Sequence, residues 1–246
     1  NTEKAYLVRG TKEAFHTLNV INGVIPVSEI KKVASSYGAT ITEYLNAVLL
    51  YALMQKQQNG FHFKLCPVKI AMPINLRQFF PSKTLRNFIT MIYPSIDPRL
   101  GNYSFEEIVK HVHHYMHLYI EEKYLMGEMN TNAAAQIHPI ARISPLFLKD
   151  FVVRSFYSNV QDKNSSAGLT NMGVMRLPDD MYQYVERYDI YMGVPYSSRT
   201  NCAIISYQNT LTVNFCSCIV ESDVERYFFR KLVEDGIPVT IESNRK

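Results

Sequence analysis

The stretch that decides the fold is PVKIAMPINLRQFFPSKTLRNFITMIYPSID, from Pro67 to Asp97. Within it, residues 68–74 alternate in polarity and are bounded by prolines, which predicts a sheet strand. A polar corner follows at Asn75 and Arg77, and residues 88–96 form a second strand-like run. An asparagine and an arginine at the end of an apolar strand are well placed to line a cleft. From the pattern alone, the favoured interpretation is that Arg77 only ties down the loop.

Helical patterns lie on both sides of this stretch. Thr40 and Glu43 form a capping box at the start of an apolar helix that reaches about Gln57. Ser104 and Glu107 form a second capping box, and the pattern that follows predicts a helix to about Leu125. Two further helices are predicted over residues 131–141 and 145–159. The chain therefore alternates helices with strands around the deciding stretch.

The C-terminal third of the sequence is predicted to be rich in strands. Strands are expected over residues 185–192, 202–207 and 211–220, and the last two form an antiparallel hairpin with one solvent-exposed face. A helix follows from about Ser222, and residues 237–241 form a closing strand. This order of elements predicts an α/β fold, a layered mixed β-sheet with packed helices.

Composition restricts the kind of protein further. The chain has 246 residues, of which 47% are hydrophobic and 20% charged, which is typical of a globular domain with a buried core. A net charge of +4 without clustering does not indicate nucleic-acid binding, and no apolar run is long enough to cross a membrane.

The cysteines predict a reduced, cytoplasmic protein without disulfides; they are Cys66, Cys202, Cys216 and Cys218. Because the chain begins with Asn1 rather than Met, we expect a piece of a longer or processed protein.

A group of histidines is the first candidate site. His111, His113, His114 and His117 lie within one predicted helix. His113, His117 and Glu121 are spaced four residues apart, so they project from one helix face and suit a metal ion. That face lies opposite the apolar stripe, and no ligand converges on it from elsewhere in the sequence. The favoured interpretation is therefore a solvent-facing helix surface with no metal.

A second candidate lies in the segment from Gly168 to Gly173, which is predicted to be a strand that ends in a tight turn. The glycine at 173, close to Asn171, allows a ligand to approach the backbone. The alternative is a plain turn. The sequence contains no nucleophile elbow, phosphate-binding loop or dinucleotide glycine pattern.

Two of these segments resemble a known family. The helix over residues 40–57 followed by KIAMPINLRQFFPSKTLRNF resembles the second half of the chloramphenicol-acetyltransferase-like superfamily, which includes alcohol O-acetyltransferases and nonribosomal peptide condensation domains. LTNMGVMRLPDD, from Leu169 to Asp180, is similar to the Ser-Asn-Leu-Gly loop of that family, with Thr170 for serine and Met172 for leucine. The resemblance covers nearly the whole chain. It implies that residues 1–246 are a single domain, the C-terminal subdomain of an acyltransferase.

The resemblance also implies how the complete enzyme works. Acyl-CoA or a carrier-protein thioester enters one mouth of a tunnel between two subdomains, and an alcohol or amine enters the other. The catalytic histidine of the family lies in a His-His-x-x-x-Asp-Gly motif in the N-terminal half and deprotonates the acceptor. Here the pair His113 and His114 lacks the Asp and Gly and follows Arg77 instead of preceding it. No catalytic residue is therefore assigned in this chain.

By this resemblance the chain is the C-terminal half of an acyl-CoA-dependent acyltransferase that moves an acyl group, expected to be acetyl, to an alcohol or amine. Arg77, with Asn75 beside it, is expected to pair across the subdomain interface with the aspartate of the motif, and Asn171 and Gly173 to line the acyl channel. Acyl-CoA is a co-substrate, not a covalently bound cofactor. The expected partner is the missing N-terminal subdomain, and the uncovered half-interface also suits a homodimer. The chain alone is expected to be inactive; the rival hypothesis is a non-catalytic binding or docking module with the same fold.

Overall fold

A mixed β-sheet forms the centre of the computed structural model, which describes residues 3–60, 64–137, 164–193 and 199–245, together with 145, 146 and 150. The sheet has eight strands, which are β1 (Asn19–Pro26), β2 (Val68–Asn75), β3 (Ile89–Ile92), β4 (Ser95–Ile96), β5 (Ala167–Val174), β6 (Thr200–Tyr207), β7 (Thr210–Ser217) and β8 (Thr240–Ser243). Their order across the sheet is β3-β2-β5-β6-β7-β1-β8, and β4 also pairs with β2. The predicted α/β fold with a layered mixed sheet is confirmed.

Helices pack on this sheet. They are α1 (Val27–Ser36), α2 (Ile41–Gln58), α3 (Phe105–Tyr119), α4 (Glu122–Ile137) and α5 (Asp223–Glu234). Helix α2 is buried along most of its length and packs against both α3 and α5. The ring of Phe105 at the start of α3 meets that of Tyr44 on α2 edge to face, with centroids 5.8 Å apart. Both predicted capping boxes are formed, at the first turns of α2 and α3.

Three neighbouring strands run parallel at the point where the candidate site lies. Strand β5 pairs in parallel with β2 on one side and with β6 on the other, whereas the remaining strand pairs are antiparallel. Because β2 and β5 run in the same direction, the carboxyl ends of both strands, at Asn75 and Val174, lie at the same edge of the sheet. In open α/β sheets this edge is where ligands bind.

The hairpin of β6 and β7 is present as predicted, but the expectation of one solvent-exposed face is wrong. Nearly every residue of both strands is buried. The second face is covered by residues 179–193, where a strand was predicted over 185–192 and none forms. This segment begins with a 3-10 helix and packs side chains on the hairpin: the Tyr182 ring stacks on Tyr207 at 5.7 Å, and the Thr212 hydroxyl donates to the Tyr188 carbonyl at 2.8 Å.

Other element boundaries differ from the predictions. The predicted helix over 104–125 is two helices, since α3 ends at Tyr119 and α4 begins at Glu122. Of the helix predicted over 131–141, residues 131–137 form the end of α4, and 138–141 lie outside the described residues. The run over 88–96 is two strands, β3 and β4, because Pro94 between them has no N–H for the ladder. The helix predicted over 145–159 lies almost wholly outside the described residues.

Strand β1 and helix α5 approach each other closely at Gly23. A Cβ at this position would lie 2.2 Å from Cε1 of Phe229, so only glycine allows the two elements to pack at this separation.

The four cysteines are free thiols, and burial raises the pKa of the Cys202 thiol well above its ordinary value. Among the described helices, none combines the length and apolar character needed to span a membrane.

Candidate functional site

A cleft of about 880 Å³ opens at the edge of the sheet where β2 and β5 end. Its walls come from the end of β2 and the turn after it, from residues 170–173 of β5, from the first turn of α2 and from the end of α3. The four residues selected from the sequence line this one cleft: Asn75, Arg77, Asn171 and Gly173. The structure therefore brings together two segments that are about a hundred residues apart in the sequence.

The wall from β5 is a β-bulge, which corrects the prediction of a strand that ends in a tight turn. The parallel register with β6 shifts between Asn171 and Val174, and the strand continues to Val174. Gly173 has a φ of +75°, and its N–H donates to Asn171 Oδ1 at 2.8 Å. A Cβ at Gly173 would meet no atom within 4 Å. The backbone conformation of the bulge, not a shortage of space, is thus what favours glycine at this position.

The side chain of Asn171 fixes the bulge to helix α2. Its Nδ2 donates to Oγ1 of Thr42 at 2.9 Å, while its Oδ1 accepts from the bulge. Both ends of the amide are therefore used within the chain. Asn171 sets the shape of the cleft wall, and its direct contact with a substrate stays a prediction.

Arg77 and Asn75 organise the loop at the other wall of the cleft. The Arg77 guanidinium donates to the carbonyl oxygens of Thr84 at 2.9 Å and Arg86 at 2.6 Å, and Asn75 Oδ1 accepts from the Arg77 N–H at 3.1 Å. Within the chain, Arg77 thus ties down the loop, as the sequence pattern alone favours. Both Asn75 and Arg77 are exposed. The pairing of Arg77 with a carboxylate from an N-terminal subdomain stays a prediction.

The histidine face of α3 is not simply solvent-facing, and the expectation that no ligand converges on it is wrong. Glu43 from the first turn of α2 lies against it, with Oε1 at 3.2 Å from His113 Nδ1 and 3.5 Å from His117 Nε2. Glu121, the third residue of the sequence pattern, lies beyond the end of α3 and does not extend its helical face. The sequence marks Glu43 only as a capping residue, because its second role depends on how α2 packs beside α3. Glu43 and His117 also line the cleft.

Comparison with known proteins gives matches by structure. No protein-family model and no curated protein sequence matches the chain. Among solved structures, a wax ester synthase/diacylglycerol acyltransferase from Marinobacter aquaeolei VT8 matches with a TM-score of 0.53 and 13% identity over 94% of this chain and 52% of that chain. The TRI3 trichothecene 15-O-acetyltransferase from Fusarium sporotrichioides matches with a TM-score of 0.58 and 13% identity over 94% and 48%. The epimerization domain from the third module of tyrocidine synthetase B matches with a TM-score of 0.55 and 10% identity over 96% and 51%.

These matches define the class of fold. The chain has the condensation-domain and CoA-acyltransferase-like fold, as the resemblance of its sequence motifs implied. It spans about half the length of each of these three solved structures.

Proposed function

We propose that this chain is the C-terminal half of an acyltransferase that moves an acyl group, acetyl in the first instance, from a thioester of CoA or a carrier protein to an alcohol or amine. The observation that carries the proposal is that nearly the whole chain superposes on about half of each of two acyltransferases. The position of the cleft supports it, since ligands of open α/β sheets bind at the carboxyl ends of parallel strands.

In this proposal the chain supplies one wall of the site, and an N-terminal half supplies the base. A histidine of the family motif takes the proton from the acceptor hydroxyl or amine, the acceptor attacks the thioester carbonyl, and the thiolate leaves and is protonated. Asn171 and Gly173 shape the wall of the acyl channel. Arg77 pairs with the aspartate of the motif and thereby holds the two halves in register.

The surface beside the cleft supports a second half. Met172 is 55% exposed and Val174 is 64% exposed on β5, and Ile89 on β3 is 49% exposed. Met172 and Ile89 also line the cleft. Apolar side chains that are grouped and exposed in this way are typical of surfaces that another domain or subunit covers. We assign this surface to the N-terminal half; a dimer of the chain in solution would point to a second copy in its place.

A non-catalytic binding or docking module is the second candidate. It is favoured by one observation: the Arg77 Nη2 group and both ends of the Asn171 amide already make hydrogen bonds within the chain, so the cleft walls are formed without a partner. A module of this kind would bind an acyl thioester or its carrier without turnover.

The test uses the lengthened protein, meaning this chain preceded by the segment that its gene encodes in frame upstream of Asn1. Release of CoA from acetyl-CoA is followed in the presence of an alcohol acceptor. Met172→Arg places a charge in the cleft and is expected to abolish release by the lengthened protein, while leaving the thermal stability of the chain alone unchanged, because the side chain is exposed there. Leu118→Arg is the matched control, since Leu118 is 62% exposed and does not line the cleft. Full activity of Met172→Arg would contradict the placement of the acyl site.

A further inference from the structure

Three side chains from two helices converge beside the cleft. Glu43 on α2 and His113 and His117 on α3 each offer one ligand atom, and these atoms lie within 4.8 Å of one another. The two histidines are one turn apart on α3, and their rings lie close together, with centroids 4.3 Å apart. Among the described residues, this is the group of histidine, cysteine and carboxylate side chains with the spacing to hold a metal ion.

The two separations from the carboxylate fit a shared ion. Glu43 Oε1 is 3.2 Å from His113 Nδ1 and 3.5 Å from His117 Nε2. When zinc is bound tetrahedrally by nitrogen and oxygen at about 2.0–2.1 Å, the ligand atoms lie about 3.3 Å apart. The two distances to the carboxylate therefore fall on either side of the value that a zinc site requires.

The contact between His113 and Glu43 is close without being a hydrogen bond. His113 Nδ1 is buried and has no hydrogen-bond partner among the described residues, although the carboxylate oxygen is only 3.2 Å away. A buried polar atom is costly without a partner. A ring nitrogen that lies beside a carboxylate but does not donate to it is suitably placed to share a cation with it.

The carboxylate is held in place for this role. Glu43 Oε2 accepts the Thr40 N–H at 2.7 Å in the capping box, which leaves Oε1 directed toward the histidines. Supporting hydrogen bonds of this kind orient metal ligands and raise metal affinity. The Glu43 side chain is 5% exposed, whereas that of His117 is 67% exposed, so an ion can reach the site from solvent along His117.

We propose that Glu43, His113 and His117 bind a divalent cation and that Zn²⁺ is the favoured ion. Two imidazoles and one carboxylate are a donor set that zinc accepts with a fourth position left open, whereas Mg²⁺ and Ca²⁺ prefer sites made of oxygen alone. Because Glu43 and His117 line the cleft, the ion lies in its wall, where water or a bound ligand completes the coordination. The site also links the first turn of α2 to the end of α3.

The test is zinc binding by the purified chain, prepared without a polyhistidine tag. Zn²⁺ is titrated against a competing chromophoric chelator, and about one Zn²⁺ per chain is expected. His113→Ala and His117→Ala should each weaken zinc binding by at least about 100-fold. Loss of a residue that only supports a metal ligand weakens binding by at most about 100-fold. His111→Ala is the matched control, since His111 is exposed on the same helix and lies outside the cluster. An excess of Mg²⁺ should not displace the zinc.

A second variant separates binding from folding. Glu43→Gln keeps the capping box, because glutamine serves at this position as glutamate does, but removes the charged ligand. It should melt as the unchanged chain does without metal and should lose the rise in melting temperature that zinc gives the unchanged chain. The proposal is overturned if the chain binds no stoichiometric zinc, or if His113→Ala and His117→Ala bind zinc as tightly as His111→Ala. In that case the cluster is a metal-free contact between the carboxylate and the two imidazoles.

Discussion

Asn171 on β5 and Thr42 in the first turn of α2 are joined by a hydrogen bond of 2.9 Å from Nδ2 to Oγ1. The two residues come from segments that are 129 positions apart in the sequence. The bond links the bulge of the sheet to the first turn of the buried helix, and both residues line the cleft. The shape of the cleft therefore depends on this pair, which gives the first prediction.

Replacement of Asn171 by alanine should lower the free energy of unfolding by about 1–3 kcal/mol, because it removes two hydrogen bonds and leaves the Gly173 N–H without its acceptor. Thr42→Val should lower the free energy of unfolding by less than Asn171→Ala does, because it removes only one of the two hydrogen bonds. If the bond contributes to stability, the double variant should lose about 0.5–1.5 kcal/mol less than the two single losses added together, because the bond can be lost only once. Urea denaturation of the four proteins measures this coupling, and strict additivity would show that the bond contributes nothing.

Gly173→Ala tests the bulge itself. Alanine at a φ of +75° is strained, so the variant should lose about 1–2 kcal/mol although its Cβ has free space. Gly127→Ala is the matched control: this glycine lies within α4, a Cβ there also meets nothing within 4 Å, and alanine should stabilise the helix by about 0.5–1 kcal/mol. Thermal melts of both variants give the comparison. Equal effects would mean that the bulge does not require glycine.

Glu225 on α5 predicts a dependence of stability on pH. Burial raises the pKa of this carboxyl above its ordinary value of 4.5, and the Thr200 hydroxyl donates to it at 3.1 Å. Because the pKa is higher in the folded state, the stabilisation that this carboxyl gives the fold is fully present below pH 4.5 and is lost as the pH rises through the folded pKa. The loss is about 1.4 kcal/mol of unfolding free energy for each pH unit by which the pKa is raised.

Glu225→Gln removes that loss and keeps an acceptor for Thr200. The variant should match the unchanged chain below pH 4.5 and be more stable than it at neutral pH. The free energy of unfolding of both proteins, measured below pH 4.5 and at neutral pH, tests this expectation. A variant that is less stable at neutral pH would show that the buried carboxylate is charged and well paired.

Arg77→Ala distinguishes the two roles of this arginine. In the chain alone it should cost about 1 kcal/mol or less, because its bonds to Thr84 and Arg86 are exposed. In the lengthened protein it should cost more than about 3 kcal/mol, because the partner carboxylate would be left buried and unpaired. Arg86→Ala is the control, since the Arg86 carbonyl, not its guanidinium, receives the bond. The same cost in both proteins would contradict the interface pairing.

The parts of the fold that depend on neighbouring residues could be predicted from the sequence. The capping boxes at Thr40 and Ser104 form as expected because a cap is made within four residues, and the hairpin after Thr200 forms because its turn is short. The alternation in residues 68–74 correctly gave the strand that ends at the cleft.

The parts that depend on tertiary packing could not be predicted. Glu43 meets His113 and His117 only because α2 packs beside α3, and no spacing within the sequence encodes that contact. Similarly, the pattern of residues 185–192 predicts a strand, but these residues belong to the segment 179–193 that covers the hairpin, through contacts such as the hydrogen bond from the Thr212 hydroxyl to the Tyr188 carbonyl. In both cases the packing of elements that are distant in the sequence determines which residues meet.

Acyl transfer by the chain with and without its upstream segment tests the central claim most directly. Release of CoA from acetyl-CoA is measured for the purified chain and for the lengthened protein, with the same alcohol acceptor. The account predicts no turnover by the chain alone and turnover by a lengthened protein that carries an intact His-His-x-x-x-Asp-Gly motif. Turnover by the chain alone, or none by the lengthened protein, would contradict the claim that this chain is half of an acyltransferase.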